Sequence, residues 1–269
     1  MNRKYLCFLL GSVITLLSSF TVNAQSQFTT KEKVELLRKI NKSCADIKTV
    51  TYRINHDSKR LTEKNTFSTV AVCTLYIDPT NKVSSYNIVD EEFGSAKSRK
   101  YGHKIYNGEM LFSLTNPVDS LDAYKKPQIL KNEVDMEAWL SSYNYLLLDK
   151  YFGKNKSLIG YDSFAENILL TEETFKDTPV YAITMTYMDN ENSRDRIQKI
   201  YISKSNYLPV GSYSFWRWEN MESYEYFDVE YLAINPEISP DEFKVAKDHT
   251  VNLVERYKVF KEKSKNNNQ

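Results

Sequence analysis

Glycine and proline are scarce in this chain, seven of each in 269 residues, and cysteine is scarcer still at three. So little glycine and proline excludes a collagen-like, linker-rich or low-complexity chain. No Cys-x-x-Cys occurs, so the motif of a thiol oxidoreductase is missing. The three histidines, His56, His103 and His249, lack partners at the short spacings that zinc sites use. Gly-x-Ser-x-Gly, His-Glu-x-x-His, Walker and Gly-x-Gly-x-x-Gly patterns are all absent. The acidic run of Asp189, Asn190, Glu191, Asn192 and Asp195 lacks the glycine and terminal glutamate of a calcium loop, and reads as a turn. His56 beside Asp57 is the one tempting acid–base pair. Neighbours on a strand point to opposite faces, however, so the pair reads as a solvated strand end. The chain is therefore expected to be no enzyme, with no metal site and no cofactor.

Long apolar runs are also lacking. Only Leu6 to Leu17 is continuous enough to notice, and it falls short of the roughly 20 residues that span a bilayer. Arg3 and Lys4 precede it, and Val22, Asn23 and Ala24 follow, which together make a secretory signal peptide over residues 1–24 with cleavage after Ala24. Cys7 lies too early for a lipid-anchored terminus. The expectation is a periplasmic or secreted protein with no integral membrane segment. Cleavage removes two bases and no acid, so 34 basic residues face 35 acidic ones, a formal charge of −1. A near-neutral chain argues against nucleic acid as a partner. Cys44 and Cys73 would then be the remaining cysteines, in a compartment where a bridge can persist. A disulfide between them and two buried free thiols both stay open.

What the chain does hold is aromatic and β-branched alternation, with 20 tyrosines and 13 phenylalanines. It is densest from Thr178 to Phe243, which reads as four antiparallel strands. Tyr181, Ile183, Met185 and Tyr187 share one face of the first, and Ala182, Thr184 and Thr186 the other. Ile200 and Ile202 share a face of the second, in Arg196 to Ser203. Ser212 to Trp218 and Ser223 to Leu232 complete the set.

Upstream, Thr29 and Glu32 form a capping box before Val34, Leu37, Ile40, Cys44 and Ile47 at helical spacing. Val50, Tyr52 and Ile54 switch to a strand, followed by strands over Thr66 to Ile77 and Val83 to Val89. Tyr101 to Tyr106 and Glu109 to Leu114 form a hairpin about Asn107-Gly108, the signature of a type I′ turn. Asn116 to Gln128 reads as loop. Val134 to Phe152 reads as a second covering helix, with Met136, Trp139, Leu140, Tyr143, Leu146 and Leu147 on its apolar face and Gly153 at its C-terminal cap. Glu166 to Phe175 is a strand closed by a turn at Lys176 to Pro179. Ser239, Pro240 and Glu242 start a short helical turn at Phe243. Thr250 to Phe260 reads as a last helix, and Lys261 to Gln269 as a frayed tail.

This order of capped helix, antiparallel strands, Tyr-Asn-Gly hairpin, apolar helix and further strands resembles the unclosed barrel of LolA/LolB-like periplasmic lipoprotein carriers. Lys199-Ile200-Tyr201-Ile202-Ser203-Lys204, Leu208-Pro209-Val210-Gly211 and Asn235-Pro236-Glu237-Ile238 before Ser239-Pro240 and Phe243 are similar to stretches in the N-terminal domain of Bacteroidetes-type secreted thioredoxin-like proteins, here without the thioredoxin domain. The resemblance implies an α+β fold in which a curved antiparallel sheet, an unclosed β-barrel, is covered by two or more helices. It places the half-barrel domain at residues 25–245 and a C-terminal helix and tail at 246–269. It also implies a cavity for a lipid or acyl chain, or a lipoprotein ligand, walled by Tyr52, Ile54, Ile183, Met185, Ile200, Ile202 and Phe215 and roofed by Trp139, Tyr143 and Leu147.

The same apolar positions would serve a filled core, and the alternative is then a protein-interaction or sensor module that engages an envelope partner. Trp216, Trp218 and Tyr213 offer a further alternative, an exposed aromatic patch for a glycan or a protein partner, though Arg217 and Glu219 beside them suit an ordinary outward face.

Overall fold

The computed structural model describes residues 28–77, 84–93, 99–120, 124–125, 128–130, 144–153, 165–244 and 251–265. The expected signal peptide and its expected cleavage site after Ala24 lie outside these residues. So do Trp139, Tyr143 and His249.

Thr29 opens the first helix, α1 (Thr30–Ala45), as its sequence requires. The Thr29 side chain accepts from the Glu32 amide, and the Glu32 carboxylate accepts from the Thr29 amide at 2.7 Å. The buried line is Leu36, Ile40 and Cys44, whereas Val34, expected on the same stripe, is 51% exposed. The reason is helical geometry. Val34 lies six residues from Ile40, about 120° around the axis, while Leu36 and Cys44 lie about 40° to either side.

Eleven strands form one sheet. One half is a meander of β1 (Thr49–Lys59), β2 (Phe67–Tyr76), β3 (Ser85–Phe93), β4 (Arg99–Tyr106) and β5 (Leu111–Pro117). After the short β6 (Tyr124–Lys125), β7 (Gln128–Leu130) pairs with β5. The other half is β8 (Ala165–Phe175), β9 (Thr178–Tyr187), β10 (Arg194–Ser203), β11 (Pro209–Trp218) and β12 (Met221–Ile234). The halves join where β1 pairs with β12, giving the order β7-β5-β4-β3-β2-β1-β12-β11-β10-β9-β8, antiparallel throughout. Its ends, β7 and β8, do not pair with each other, so the sheet is an unclosed barrel. It is also curled. Phe175 on β8 and Tyr226 on β12 stand four strands apart, about 19 Å in a flat sheet, yet their ring centroids are 6.3 Å apart.

Each face carries its own apolar cluster. The inner face, defined by α1, buries Val50, Tyr52 and Ile54 of β1 with Ala71, Cys73, Ile183, Met185, Ile200 and Ile202. Leu146, Leu147, Leu148, Tyr151 and Phe152 pack into the same cluster. On the outer face, Tyr101, Ile105, Phe112 and Leu114 lie beneath the C-terminal helix α2 (Leu253–Lys265), which adds Tyr257 and Phe260. The two-residue β13 (Val251–Asn252) pairs with β6 just before that helix.

Four sequence expectations are corrected. The Asn107-Gly108 hairpin closes one residue later, since the Asn107 amide bonds to the Met110 carbonyl at 3.3 Å and only Gly108 takes positive φ, at 97°. That is the type II′ pattern, and it arises because the Asn107 side chain accepts from the Glu109 and Met110 amides instead of entering the turn. Both-positive φ occurs instead at Lys176 and Asp177, at 47° and 60°, where the Phe175 and Thr178 register leaves a two-residue loop. The expected loop from Asn116 to Gln128 carries the end of β5, a 3-10 turn at Val118–Ser120 and the short β6. Of the second covering helix, 144–153 are described, and they form a 3-10 turn, Asn144–Leu146, followed by an irregular segment. Finally, α2 runs to Lys265, beyond the Lys261 start of the expected tail, because Phe260 is buried and Lys261 reaches Glu91 at 3.1 Å.

Candidate functional site

Along β1 the inward positions are Val50, Tyr52, Ile54, His56 and Ser58, and the apolar character ends at Ile54. The neighbours change with it. Thr69 and Phe227 stand opposite His56, and Phe67 and Glu225 opposite Ser58. On β11 the inward series continues through Ser212, Ser214 and Trp216. The result is a recess of 520 Å³ at this end of the inner face. Phe67, Tyr145 and Trp216 give it aromatic surface, and Lys59, Arg60, Glu63, Glu92 and Glu225 give it a charged rim.

His56 is buried and lies against Tyr145, with ring centroids 4.7 Å apart. Its Nε2 stands 3.8 Å from Glu225 Oε1. The His56 side chain holds the Glu225 carboxyl below its ordinary value, against the opposite pull of burial, with Lys150 and Arg60 helping. Tyr145 owes its position to a bond deeper in the core. The Tyr52 hydroxyl donates to the Leu146 carbonyl at 2.8 Å and accepts from the Leu148 amide at 3.1 Å, pinning the segment that carries Tyr145. At the rim, Arg60 reaches Glu63 Oε1 at 4.0 Å, while Glu63 Oε2 is buried with no hydrogen-bond partner among the described residues.

Neither Ser223 nor Asp57 is aimed at the imidazole. The Ser223 hydroxyl donates to the Lys59 carbonyl at 3.0 Å instead of facing the imidazole. Asp57 lies on the other side of the strand, where it accepts from Ser68. Among the described residues no group of three or more His, Cys, Asp or Glu side chains is placed to hold a metal ion.

The residues expected to wall a cavity divide into three sets. Tyr52, Ile54, Leu147, Ile183, Met185, Ile200 and Ile202 come together, but as a packed cluster beneath α1, and none of them lines the recess. Phe215 is not with them. It pairs with Ile197 and Tyr224, three residues out of step with Ser212, and therefore sits half-buried on the outer face under Arg217, 5.7 Å from its ring. Trp139 and Tyr143 lie outside the described residues. Cys44 and Cys73 are both buried and free, so they form no bridge.

Sequence reasoning missed Phe67, Tyr145 and Glu225, and set His56 aside as a solvated end. The signal lay in the β1 alternation, which turns polar at the inward positions 56 and 58. Trp216 had been grouped with Trp218 and Tyr213. The register keeps the two tryptophans on one face and puts Tyr213, opposite Tyr226, on the other.

The β3–β4 part of the inner face differs again. Asp90 and Lys104 form a buried ion pair there, 6% and 5% exposed, next to Gly102. A Cβ at Gly102 would come within 2.6 Å of Asp90 Oδ1 and 2.7 Å of Lys104 Nζ, so the pair occupies the room that a side chain would need.

No family model matches the chain, and no curated protein does. Solved structures do resemble it. MucB is 10% identical with a TM-score of 0.39 over 81% of this chain, which spans 64% of the MucB chain. A DUF1329 family protein from Desulfovibrio piger is 10% identical with a TM-score of 0.31, covering 80% of this chain and 96% of that one. A LolA superfamily protein from Nitrosomonas europaea is 8% identical with a TM-score of 0.23, covering 79% and 97%. The LolA superfamily is the one that the sequence resembles. The likeness to thioredoxin-linked secreted proteins rests on sequence alone.

Proposed function

We propose that this chain is an exported, non-enzymatic binding protein that holds an amphiphilic guest, such as a lipid acyl chain, at the inner face of its unclosed sheet. The observation that supports this most is the recess itself. It lies where a tightly packed apolar layer meets aromatic side chains and a charged rim, the usual make-up of a ligand site. A guest chain laid against Phe67, Tyr145 and Trp216 gains roughly 0.8 kcal/mol per buried CH₂. Its polar end can donate to Glu63 Oε2 or sit between Lys59 and Glu225. The expected walls at Tyr52, Ile54, Ile183, Met185, Ile200 and Ile202 act as the floor behind the site, giving it rigidity. Native mass spectrometry of freshly isolated protein tests the reading. Added masses that match acyl chains support it, and the bare polypeptide mass throughout counts against it.

A second reading draws on a different observation. Seven of the ten residues expected around a cavity are tightly buried in one cluster, and a filled core suits an interaction or sensor module for an envelope partner. Absence of saturable fatty-acid uptake, together with co-purification of one defined protein, favours this alternative.

A further inference from the structure

The outer face carries a device that the recess does not use. Helix α2 lies over β3, β4 and β5, and its Arg256 meets a buried histidine beneath it. His103, on the outer face of β4, is buried between that helix and Phe112, whose ring centroid is 5.4 Å away. The Arg256 guanidinium donates to His103 Nδ1. His103 Nε2 therefore carries the proton and donates to Asn87 Oδ1 at 2.8 Å. Asn87 in turn donates to the Glu242 carbonyl and carboxylate at 3.1 and 3.0 Å. The orientation is fixed at each link, and it requires a neutral imidazole whose Nδ1 lone pair faces a cation.

We propose that α2 is an acid-released strap: protonation of His103 turns its Nδ1 from acceptor to donor, opposes Arg256, and lifts the helix from the outer face. Release would uncover Tyr101, Ile105, Phe112 and Leu114, which are buried beneath it, and remove Phe260 and Lys261 from the wall of an outer groove of 560 Å³. The strap thus covers an apolar surface in one state and offers it in the other.

Other charges face this region, among them Asp119, which acts on Arg99 and Tyr257 at the far end of the helix. Lys104, the neighbour of His103 on β4, adds to the unfavourable field. Glu242 reaches His103 only through Asn87. The buried Glu91 holds the far end of α2, accepting from Arg99 at 2.7 Å, Tyr257 at 3.2 Å and Lys261 at 3.1 Å.

Burial, then Arg256 and Lys104, push His103 down to about 3 in the docked state. In the released state the imidazole returns to roughly 6.5. The docked pKa is the lower one, so docking is strongest above about pH 6.5. It weakens roughly tenfold per pH unit on descent towards 3.

The test is amide hydrogen exchange of residues 253–265 in the full chain, corrected for intrinsic rates, between pH 7.5 and 4.5. Wild type should lose protection by at least tenfold in this segment relative to β1 and β12. His103→Gln keeps a side chain able to accept and donate but not to titrate, and its protection should be flat over the same range. Equal protection at both pH values in wild type overturns the proposal, as does the same pH dependence in His103→Gln, which would assign the effect to a group other than His103. Should His103→Gln fail to fold, the imidazole titration followed by NMR in wild type and in Arg256→Gln decides. A His103 pKa that rises in Arg256→Gln supports the strap, and an unchanged one refutes it.

Discussion

The Tyr52 hydroxyl bonds at once to the carbonyl of Leu146 and the amide of Leu148, 94 and 96 residues away in sequence. This one side chain fixes how an irregular segment lies on the sheet, and Tyr145, next to the bonded Leu146, closes the recess over His56. Tyr52→Phe removes the hydroxyl and leaves a buried carbonyl and amide unpaired, at a cost of about 1–3 kcal/mol. Urea unfolding should show that loss with little change in the denaturant slope. Guest binding at the recess should weaken as well, because Tyr145 loses its anchor. An unaltered midpoint would mean that the segment is held by its leucines alone.

Gly211 is predicted to resist any larger residue. A Cβ there would lie 2.5 Å from Phe175 Cζ and 3.0 Å from the Phe227 carbonyl. Gly211→Ala should cost about 1–3 kcal/mol by overpacking. In a Phe175→Ala background the penalty should fall by more than the 0.5 kcal/mol within which independent sites add. Additive losses would show that the curl of β8 over β12 does not depend on this contact.

Cys44 and Cys73 should be unreactive in the folded protein. Burial raises the Cys44 thiol to about 12 and the Cys73 thiol further, so neither supplies thiolate at neutral pH. Thiol labelling with and without denaturant checks this. Both should label only after unfolding, with no reducing agent needed; label that appears only after reduction would mean that they are bridged.

Much of the fold was legible because strands advertise themselves by parity. The alternation in β1 and β9 to β12, the Thr29 capping box and the Ser239-Pro240 turn all rest on local chemistry, and local chemistry is what a sequence displays. What failed were matters of register. Phe215 lies on a strand whose inward series is Ser212, Ser214 and Trp216, so its aromatic ring suggested the core while its parity sent it outside. The Asn107 turn slipped by one residue through a side-chain bond that composition does not reveal. The candidate site was hidden for a related reason. His56, Phe67, Tyr145, Trp216 and Glu225 are scattered over 170 residues and meet because β1 pairs with both β2 and β12, β11 pairs with β12, and Tyr52 holds the segment that carries Tyr145.

The account stands or falls on whether that recess takes an amphiphile. Displacement of a fluorescent fatty acid, titrated in wild type and in Trp216→Asp, measures it most directly, since Trp216 is half-buried in the recess and outside both apolar clusters. The account predicts saturable uptake by wild type, with the midpoint at least tenfold weaker in the variant and the unfolding midpoint nearly unchanged. Uptake absent from wild type, or equal in the two proteins, would contradict it.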